Sequence, residues 1–239
     1  MNNVNGNIPR HLGIILDGNR RFAKRLMIKP WMGHEWGAKK VKELLEWCNE
    51  TCIEEVTFYA FSVENFNRPK DEFDYLMALF EKEFNELMSR ENLNEINKKG
   101  LRVNFIGRLW MFPANVQGVM NKLMDLTKEN NKHIVNFAMA YGGRAEIIDA
   151  TKKIAKQIKE GNLDVGDLNE EVFKKNLYLE SEPDLIIRTS ESRLSGFLLW
   201  QSSYAEIIFL PDLLWPEFKK EDFLACINEY SLRKRKFGK

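Results

Sequence analysis

The chain has 239 residues, of which 44% are hydrophobic and 30% are charged, and its formal net charge is +1 at pH 7. Such a chain can bury a sizeable core in one large domain or two small ones. The near-neutral charge argues against a nucleic-acid partner, and no uncharged apolar stretch is long enough to span a membrane. Three cysteines without a Cys-x-x-Cys pair predict buried free thiols in a cytoplasmic protein.

Short apolar runs alternate along the chain with longer segments of helical periodicity. We predict strands at 12–16, 55–61, 101–106, 134–140, 185–187 and 206–210. We predict helices at 20–27, 35–50, 71–92, 113–130, 144–160, 169–177 and 220–235. Strands that alternate with helices favour an α/β fold with a mainly parallel six-stranded sheet flanked by helices. No linker-like segment divides the chain, so we predict a single domain at 11–239, preceded by a flexible N-terminus at 1–10.

The first predicted strand runs into Asp17-Gly18-Asn19-Arg20-Arg21, directly before a predicted helix. The helix N-terminus supplies backbone N–H groups and positive dipole charge, and the arginines add two guanidinium groups. This segment therefore suits a phosphate or diphosphate, and the carboxylate suits a hard cation such as Mg²⁺. The alternatives are that Asp17 only caps the helix and that both arginines are solvated.

Polar side chains also follow three further predicted strands, at 62–68, 141–144 and 188–195. Ligands of open α/β sheets bind beyond the carboxyl ends of the strands, so these segments predict one pocket for an anionic ligand. A salt-bridged loop is the alternative for 188–195. His34 either caps the second helix or donates to a phosphate.

The predicted helix at 71–92 carries an apolar stripe at three- and four-residue spacing. Its members are Phe73, Leu76, Met77, Phe80, Phe84, Leu87 and Met88. A helix of this length extends about 30 Å. The stripe either packs into the core or lines a cavity for a long hydrocarbon, to which flexible methionine side chains are suited.

Together these residues resemble the cis-prenyltransferase family, whose familiar member is undecaprenyl diphosphate synthase, from His11 to Gly238. The matching motifs are His-x-x-x-Ile-x-Asp-Gly-Asn-Arg-Arg, Gly33-His34, Tyr59-Ala60-Phe61-Ser62, Glu64-Asn65-Phe66-Asn67-Arg68, Ile187-Arg188-Thr189, Arg193-Leu194-Ser195 and Leu198-Leu199-Trp200-Gln201. Asp-Gly-Asn-Arg-Arg is closer to archaeal and eukaryotic members than to bacterial ones. The resemblance implies a parallel six-stranded sheet, a hydrophobic tunnel and a homodimer.

The resemblance also implies an activity. Family members add isopentenyl diphosphate repeatedly to an allylic diphosphate, here farnesyl or geranylgeranyl diphosphate, with Mg²⁺ as cofactor. We therefore expect a long-chain, undecaprenyl-like polyprenyl diphosphate for glycosyl-carrier lipid synthesis, and peripheral contact with the membrane for product release.

By resemblance, Asp17 is the metal-linked catalytic carboxylate, and Asn65 matches the position assigned to proton removal. The allylic substrate site would comprise Gly18, Asn19, Arg20, Arg21, Phe22, His34, Ser62, Val63, Glu64, Phe66 and Arg68. The isopentenyl diphosphate site would comprise Arg188, Arg193, Leu194 and Ser195. Glu206 matches a second metal-linked carboxylate, which acts either within one subunit or across the dimer.

Three positions depart from the family pattern. Pro30 stands where members often have an arginine on the allylic diphosphate, and Lys29 beside it is the candidate substitute. The loop at 188–193 is one residue shorter than in many members. Lys236-Phe237-Gly238 stands where members often have Arg-x-Gly.

Two other functions compete with the active enzyme. The first is a catalytically silent family subunit that stabilises an active partner. The second is a phosphate-binding enzyme for nucleotides or sugar phosphates, although the sequence has no Walker or Gly-x-Gly-x-x-Gly motif.

Overall fold

A computed structural model describes residues 7–233, and a six-stranded sheet forms its centre. The strands are β1 His11–Ile15, β2 Glu55–Ser62, β3 Leu101–Ile106, β4 His133–Tyr141, β5 Leu185–Thr189 and β6 Glu206–Leu210. All neighbouring strands pair in parallel, in the order β3-β4-β2-β1-β5-β6. The α/β fold and the parallel six-stranded sheet are therefore confirmed.

Helices connect most of these strands and flank the sheet, whereas β5 runs to β6 without a helix between them. In the described range the helices are α1 Asn19–Arg25, α2 Gly33–Glu50, α3 Lys70–Leu87, α4 Arg90–Lys99, α5 Ala114–Thr127, α6 Gly143–Lys159, α7 Glu170–Lys174 and α8 Lys220–Leu232. The strand side chains alternate between two apolar cores. On β1, Ile14 belongs to the larger core with α2, α3, α5 and α8, whereas Ile15 belongs to a smaller core with Phe197 and Leu198.

The single helix predicted at 71–92 is wrong, because the chain forms two helices there. α3 ends at Leu87, and the Ser89 side chain caps α4 by accepting a hydrogen bond from the backbone N–H of Asn92. Serine competes well for such cap positions, since its oxygen satisfies a free helix N–H. The predicted stripe ends at Met88, directly before this break, so residues 89–92 were assigned to the helix without any member of the stripe to support them.

Two smaller observations concern the N-terminal residues and the cysteines. The packed chain begins before His11: Ile8 packs against the larger core, and the Arg10 backbone N–H donates to Asp184 at 2.9 Å. Of the N-terminus predicted to be flexible, 1–6 lie outside the described residues. Cys48 and Cys226 are buried as predicted, but Cys52 is exposed just past the end of α2.

None of the helices within residues 7–233 is both long and apolar enough to cross a membrane.

The sheet order brings the polar segments together. β1 lies between β2 and β5, so the residues that follow these three strands meet at one edge of the sheet. The chain leaves β1 toward β2 and returns on the opposite side as β5, which makes this edge a topological switch point.

Candidate active site

Asp17 lies just beyond β1, at the centre of this edge. Its Oδ2 accepts a hydrogen bond from Arg188 Nη2 at 2.8 Å, and its Oδ1 accepts one from Arg21 Nη2 at 3.4 Å. The hydroxyls of Thr189 and Ser190 donate to its backbone carbonyl at 2.7 and 3.0 Å. The carboxylate is thus bound to arginines instead of capping α1.

Arg21 joins the end of the first strand to the end of the fifth. Its Nη1 donates to the Ser190 carbonyl at 3.0 Å, and its Nη2 lies 3.3 Å from Glu191 Oε1. Glu191 also pairs with the exposed Arg193 at 2.7 Å. The loop at 188–193 is therefore salt-bridged. Its arginines also lie on the same side of the molecule as Arg21.

Arg188 is the most firmly held cation of the site. It is 4% exposed, and its Nη1 donates to Ser195 Oγ at 2.7 Å. Within the described part of the chain, its Nε is buried and has no hydrogen-bond partner. A buried guanidinium that is oriented in advance and has an unused donor suits an anion that arrives with the substrate.

The arginines of α1 border a polar cavity of about 420 Å³, which we call the anion pocket. It is lined by Leu16, Asp17, Gly18, Asn19, Arg20, Arg21, Lys24, Pro30, His34 and Arg68. Gly18 has φ +109°, and a Cβ at this position would lie 2.4 Å from Ser190 Oγ. Only glycine therefore allows this close turn at the pocket wall.

Lys24 was missed by the sequence analysis. It lines the pocket beside Pro30, whereas the Lys29 ammonium lies over the Trp31 ring, 5.5 Å from its centroid. The spacing offered a signal, because Lys24 follows Arg20 by four residues and so shares a helix face with it.

Glu72 was also missed, and it organises one side of the pocket. This buried carboxylate, 1% exposed, accepts from Arg68 Nη1 at 2.9 Å and lies 3.6 Å from Arg20 Nε. The separation of four residues between Arg68 and Glu72 is the sequence signal for such a pair.

His34 lies in the first turn of α2, so it is not the cap of that helix. Its Nε2 is 3.3 Å from Arg68 Nη1. Burial and the charges of Arg68 and Arg20 lower the pKa of His34 to about 3. The ring is therefore neutral near pH 7.

A second cavity, of about 310 Å³, opens from the anion pocket, and we call it the proximal cavity. The two share Leu16, Asp17, Asn19, His34 and Arg68. The proximal cavity then runs between α2 and α3, where Val41 and Leu45 face Phe80 and Leu87. A polar pocket thus continues directly into an apolar one.

The apolar stripe of α3 is divided between the two predicted roles. Phe80, Phe84 and Leu87 line the proximal cavity, whereas Leu76 and Met77 are buried in the larger core. Leu79, which lies outside the predicted stripe, also lines the cavity.

The remaining predicted residues surround the proximal cavity at different depths. Ser62 and Asn65 line it, and Asn65 Oδ1 accepts from the Ser62 backbone N–H at 3.1 Å. Six predicted substrate-binding residues lie outside the linings of both cavities: Phe22, Val63, Glu64, Phe66, Arg193 and Leu194. Phe22 packs on Trp36, with ring centroids 5.9 Å apart.

Glu206 is not brought to Asp17 within one subunit. It opens β6 opposite Leu185, while the carboxyl edge is marked by the pair Thr189 and Leu210. Four residues of strand place it about 13 Å from that edge. There it pairs with Arg233. An action across a dimer stays a prediction.

Asp17 is thus the one predicted metal-linked carboxylate at the pocket. No group of three or more His, Cys, Asp or Glu side chains within residues 7–233 could hold a metal ion. Any divalent cation at Asp17 would need further oxygen ligands from water or from a bound substrate.

The fold and site join a cation-lined pocket to an apolar cavity at the carboxyl edge of a parallel sheet. The family model of undecaprenyl diphosphate synthase matches residues 15–238. The chain therefore belongs to the undecaprenyl diphosphate synthase family of cis-prenyltransferases, as the motifs predicted.

Archaeal relatives match almost the whole chain. It is 48% identical over 238 residues to a Methanocaldococcus jannaschii protein, covering 98% of this chain and 84% of that one. It is 46% identical over 237 residues to one from Pyrococcus furiosus, covering 98% and 88%. Both are named tritrans,polycis-undecaprenyl-diphosphate synthase (geranylgeranyl-diphosphate specific).

A solved structure has the same fold. Lavandulyl diphosphate synthase from Lavandula x intermedia, in complex with dimethylallyl diphosphate, matches with a TM-score of 0.87 and 33% identity. The match covers 97% of this chain and 99% of that one. The expected closeness to archaeal members is consistent with these identities, whereas a structure from the bacterium Campylobacter jejuni is 36% identical and the Lavandula protein 33%, so closeness to eukaryotic over bacterial members stays a prediction.

Proposed function

We propose that the protein is an active cis-prenyltransferase that elongates an allylic diphosphate by repeated addition of isopentenyl diphosphate. The observation that carries the proposal is the direct opening of the anion pocket into the proximal cavity at Asp17, His34 and Arg68. A diphosphate and its hydrocarbon tail can occupy both at once. The apolar walls then keep water away from the allylic carbon as its bond to diphosphate breaks.

The cations of the anion pocket would stabilise the diphosphate as it leaves. Arg20, Arg21, Lys24 and Arg68 border the space in which the diphosphate would lie. Fixed positive groups stabilise the negative charge that develops as the diphosphate departs. The carboxylate of Glu72 keeps two of these arginines, Arg20 and Arg68, in place.

The second substrate, isopentenyl diphosphate, would bind at Arg188, Arg193 and Ser195. Support comes from the buried, unused Nε of Arg188 and from the exposure of Arg193. Arg193 would exchange its pairing with Glu191 for a phosphate. Asn65, at the cavity wall, would lie near the proton that is removed.

The residues present fit one Mg²⁺ that is shared with the substrate. Asp17 offers a single, partly exposed carboxylate, and Mg²⁺ is commonly held by one or two carboxylates together with substrate phosphates. When bound, the ion would neutralise charge on the leaving diphosphate.

We propose geranylgeranyl diphosphate as the starter and an undecaprenyl-like polyprenyl diphosphate, a precursor of glycosyl-carrier lipid, as the product. The names of the archaeal relatives support both, at 46–48% identity over nearly the whole chain. A homodimer and membrane contact at product release stay proposals from the family resemblance.

The second candidate function is a catalytically silent subunit. The hydrogen bonds that Asp17 accepts from Arg21 and Arg188 argue against it. Radiolabelled isopentenyl diphosphate, with farnesyl or geranylgeranyl diphosphate and Mg²⁺, separates the two. We expect long-chain product, more of it from geranylgeranyl diphosphate, and none after chelation with EDTA. Absence of incorporation by the purified chain from either starter would favour the silent subunit.

A further inference from the structure

The polar segment at 141–144 follows β4 at the carboxyl edge, yet none of its residues lines the anion pocket or the proximal cavity. It packs instead against residues 194–201, which carry Ser195 and which we call the Ser195 segment. The Gly143 backbone N–H donates to the Gly196 carbonyl at 2.7 Å. A Cβ on Gly143 would lie equally close, at 2.7 Å, to that carbonyl oxygen. The contact between the two segments therefore requires a glycine.

The Ser195 segment has an unfavourable backbone conformation. The φ angle is 49° at Ser195, 84° at Gly196 and 45° at Leu198. Residues that carry a Cβ rarely adopt this left-handed region, because Cβ then crowds the backbone. Such a conformation persists only where the surrounding structure holds it in place. The segment therefore depends on contacts with its neighbours.

The conformation of the Ser195 segment matters to the site because it supports Arg188. Ser195 Oγ accepts a hydrogen bond from Arg188 Nη1 at 2.7 Å, and the Arg193 carbonyl accepts one from the same nitrogen. Arg188 in turn donates to Asp17 at 2.8 Å. A displaced Ser195 segment would therefore leave the buried guanidinium without part of its support.

Glu146 fixes one end of the Ser195 segment. This carboxylate lies in the first turn of α6 and is 1% exposed. Its Oε1 accepts from Gln201 Nε2 at 3.1 Å and from the Tyr178 backbone N–H at 2.9 Å. Its Oε2 accepts from the Tyr141 hydroxyl. One buried side chain thus joins the last residue of the Ser195 segment to the polar segment after β4.

Tyr141 provides a second link, to the middle of the Ser195 segment. Its ring meets the ring of Phe197 at a steep angle, with centroids 6.3 Å apart, and Tyr59 stacks on Phe197 at 5.1 Å. Tyr141 and Phe197 are both fully buried. Because Glu146 binds the Tyr141 hydroxyl, it also orients the ring against which Phe197 packs.

We propose that Glu146 is a positioning residue for the isopentenyl diphosphate site. It holds the Ser195 segment through Gln201 and Tyr141, and the segment in turn orients Arg188. The inference rests on the proposed function, which assigns Arg188 to this substrate. Glu146 lines neither the anion pocket nor the proximal cavity, so its loss should affect the binding of one substrate and spare the other.

The test compares two substitutions of Glu146. Glu146→Leu removes all three accepted hydrogen bonds. Glu146→Gln keeps them, because its amide oxygen accepts and the Tyr141 hydroxyl can turn to accept from its amide nitrogen. We expect Glu146→Leu to raise KM for isopentenyl diphosphate by about 10-fold or more at unchanged KM for geranylgeranyl diphosphate. Glu146→Gln should stay near wild type for both. Equal rises for both substrates, or a fall in kcat alone, would overturn the positioning role.

The matched control is Asn176→Leu, which also removes a buried polar side chain packed on α6. Asn176 is 8% exposed, and its Oδ1 accepts from Gln157 Nε2 at 3.1 Å near the other end of that helix. The variant should lower stability and leave both KM values unchanged. A selective rise in KM for isopentenyl diphosphate in this control as well would show that the effect is not specific to Glu146, and the inference would be wrong.

Hydrogen exchange of backbone amides separates this inference from the proposed function. The Phe197 N–H donates to the Leu194 carbonyl at 3.0 Å, and the Ser202 N–H donates to the Leu198 carbonyl at 2.8 Å. Both amides should exchange faster in Glu146→Leu than in the wild type or in Glu146→Gln, because the segment opens more often. Unchanged exchange would overturn the inference.

The exchange measurement needs no turnover. A wild type that incorporates no isopentenyl diphosphate would refute the proposed activity, and exchange in the Ser195 segment would still decide whether Glu146 holds it. Should Glu146→Leu fold poorly, Tyr141→Phe removes one of the three hydrogen bonds and keeps the ring. It should change exchange and KM for isopentenyl diphosphate in the same direction by a smaller factor, and wild-type values of both would contradict the inference.

Discussion

The anion pocket and the proximal cavity meet at Asp17 and His34, but they are held together in different ways. Charge-assisted hydrogen bonds between distant segments fix the pocket, as between Asp17 and Arg188, 171 residues apart. The cavity is the space left between the apolar faces of two helices. Substitutions in the pocket should therefore change the rate, and substitutions in the cavity should change the product.

The largest expected effect is that of Asp17→Ala on turnover. It removes the carboxylate bound to Arg188 and Arg21 and the only predicted metal ligand at the pocket. Loss of one preorganised electrostatic group typically costs about 10²–10³ in rate, and we expect at least that here. Incorporation of radiolabelled isopentenyl diphosphate measures it. Asp71→Asn, an exposed carboxylate at the start of α3, is the control and should retain activity. Near wild-type turnover in Asp17→Ala would remove Asp17 from the chemistry.

Glu72→Gln should weaken substrate binding more than it slows the reaction. The buried carboxylate positions Arg68 at 2.9 Å and Arg20 at 3.6 Å, and Glu72 is not itself among the residues that line either cavity. A hydrogen bond to a charged group is worth about 1.5–3 kcal/mol, so KM for the allylic diphosphate should rise by about 10-fold or more. Steady-state kinetics separates KM from kcat. A fall in kcat at unchanged KM would contradict a positioning role.

Two tryptophan substitutions on α3 sharpen the contrast between cavity and core. Leu79→Trp fills the proximal cavity and should shorten the products with little loss of stability. Met77→Trp overpacks the larger core and should lower stability by about 1–3 kcal/mol while product length is kept. The product masses measure chain length, and urea unfolding of both variants measures the loss of stability. Equal shortening by both would mean that the stripe does not divide as the structure indicates.

The last expected effect concerns the pH dependence of stability. Burial and the charges of Arg68 and Arg20 lower the pKa of His34 to about 3 from an ordinary value of 6.5. The folded protein thus binds fewer protons at this site than the unfolded chain, so His34 makes stability fall as the pH drops from 6.5 toward 3. His34→Gln should flatten this part of the stability profile. An unchanged pH dependence of unfolding in that window would show that His34 is not buried in this way.

Local patterns in the sequence determined the sheet, most of the helices and the position of Asp17. Buried parallel strands are short apolar runs, and their carboxyl ends necessarily meet at one edge, so the motifs after β1, β2 and β5 had to converge. The break at Ser89 was missed because the predicted helix was extended to residue 92, past the last stripe residue, Met88.

Only the tertiary structure decided which member of each local pattern reaches the site. Periodicity placed Met77 and Phe80 on one stripe, but the angle at which α3 packs on the sheet sends the first into the core and the second into the cavity. Likewise, Lys24 and not Lys29 borders the anion pocket, because the turn after α1 directs Lys29 onto Trp31. Spacing specifies a helix face, whereas the neighbour of that face depends on how separate elements pack together.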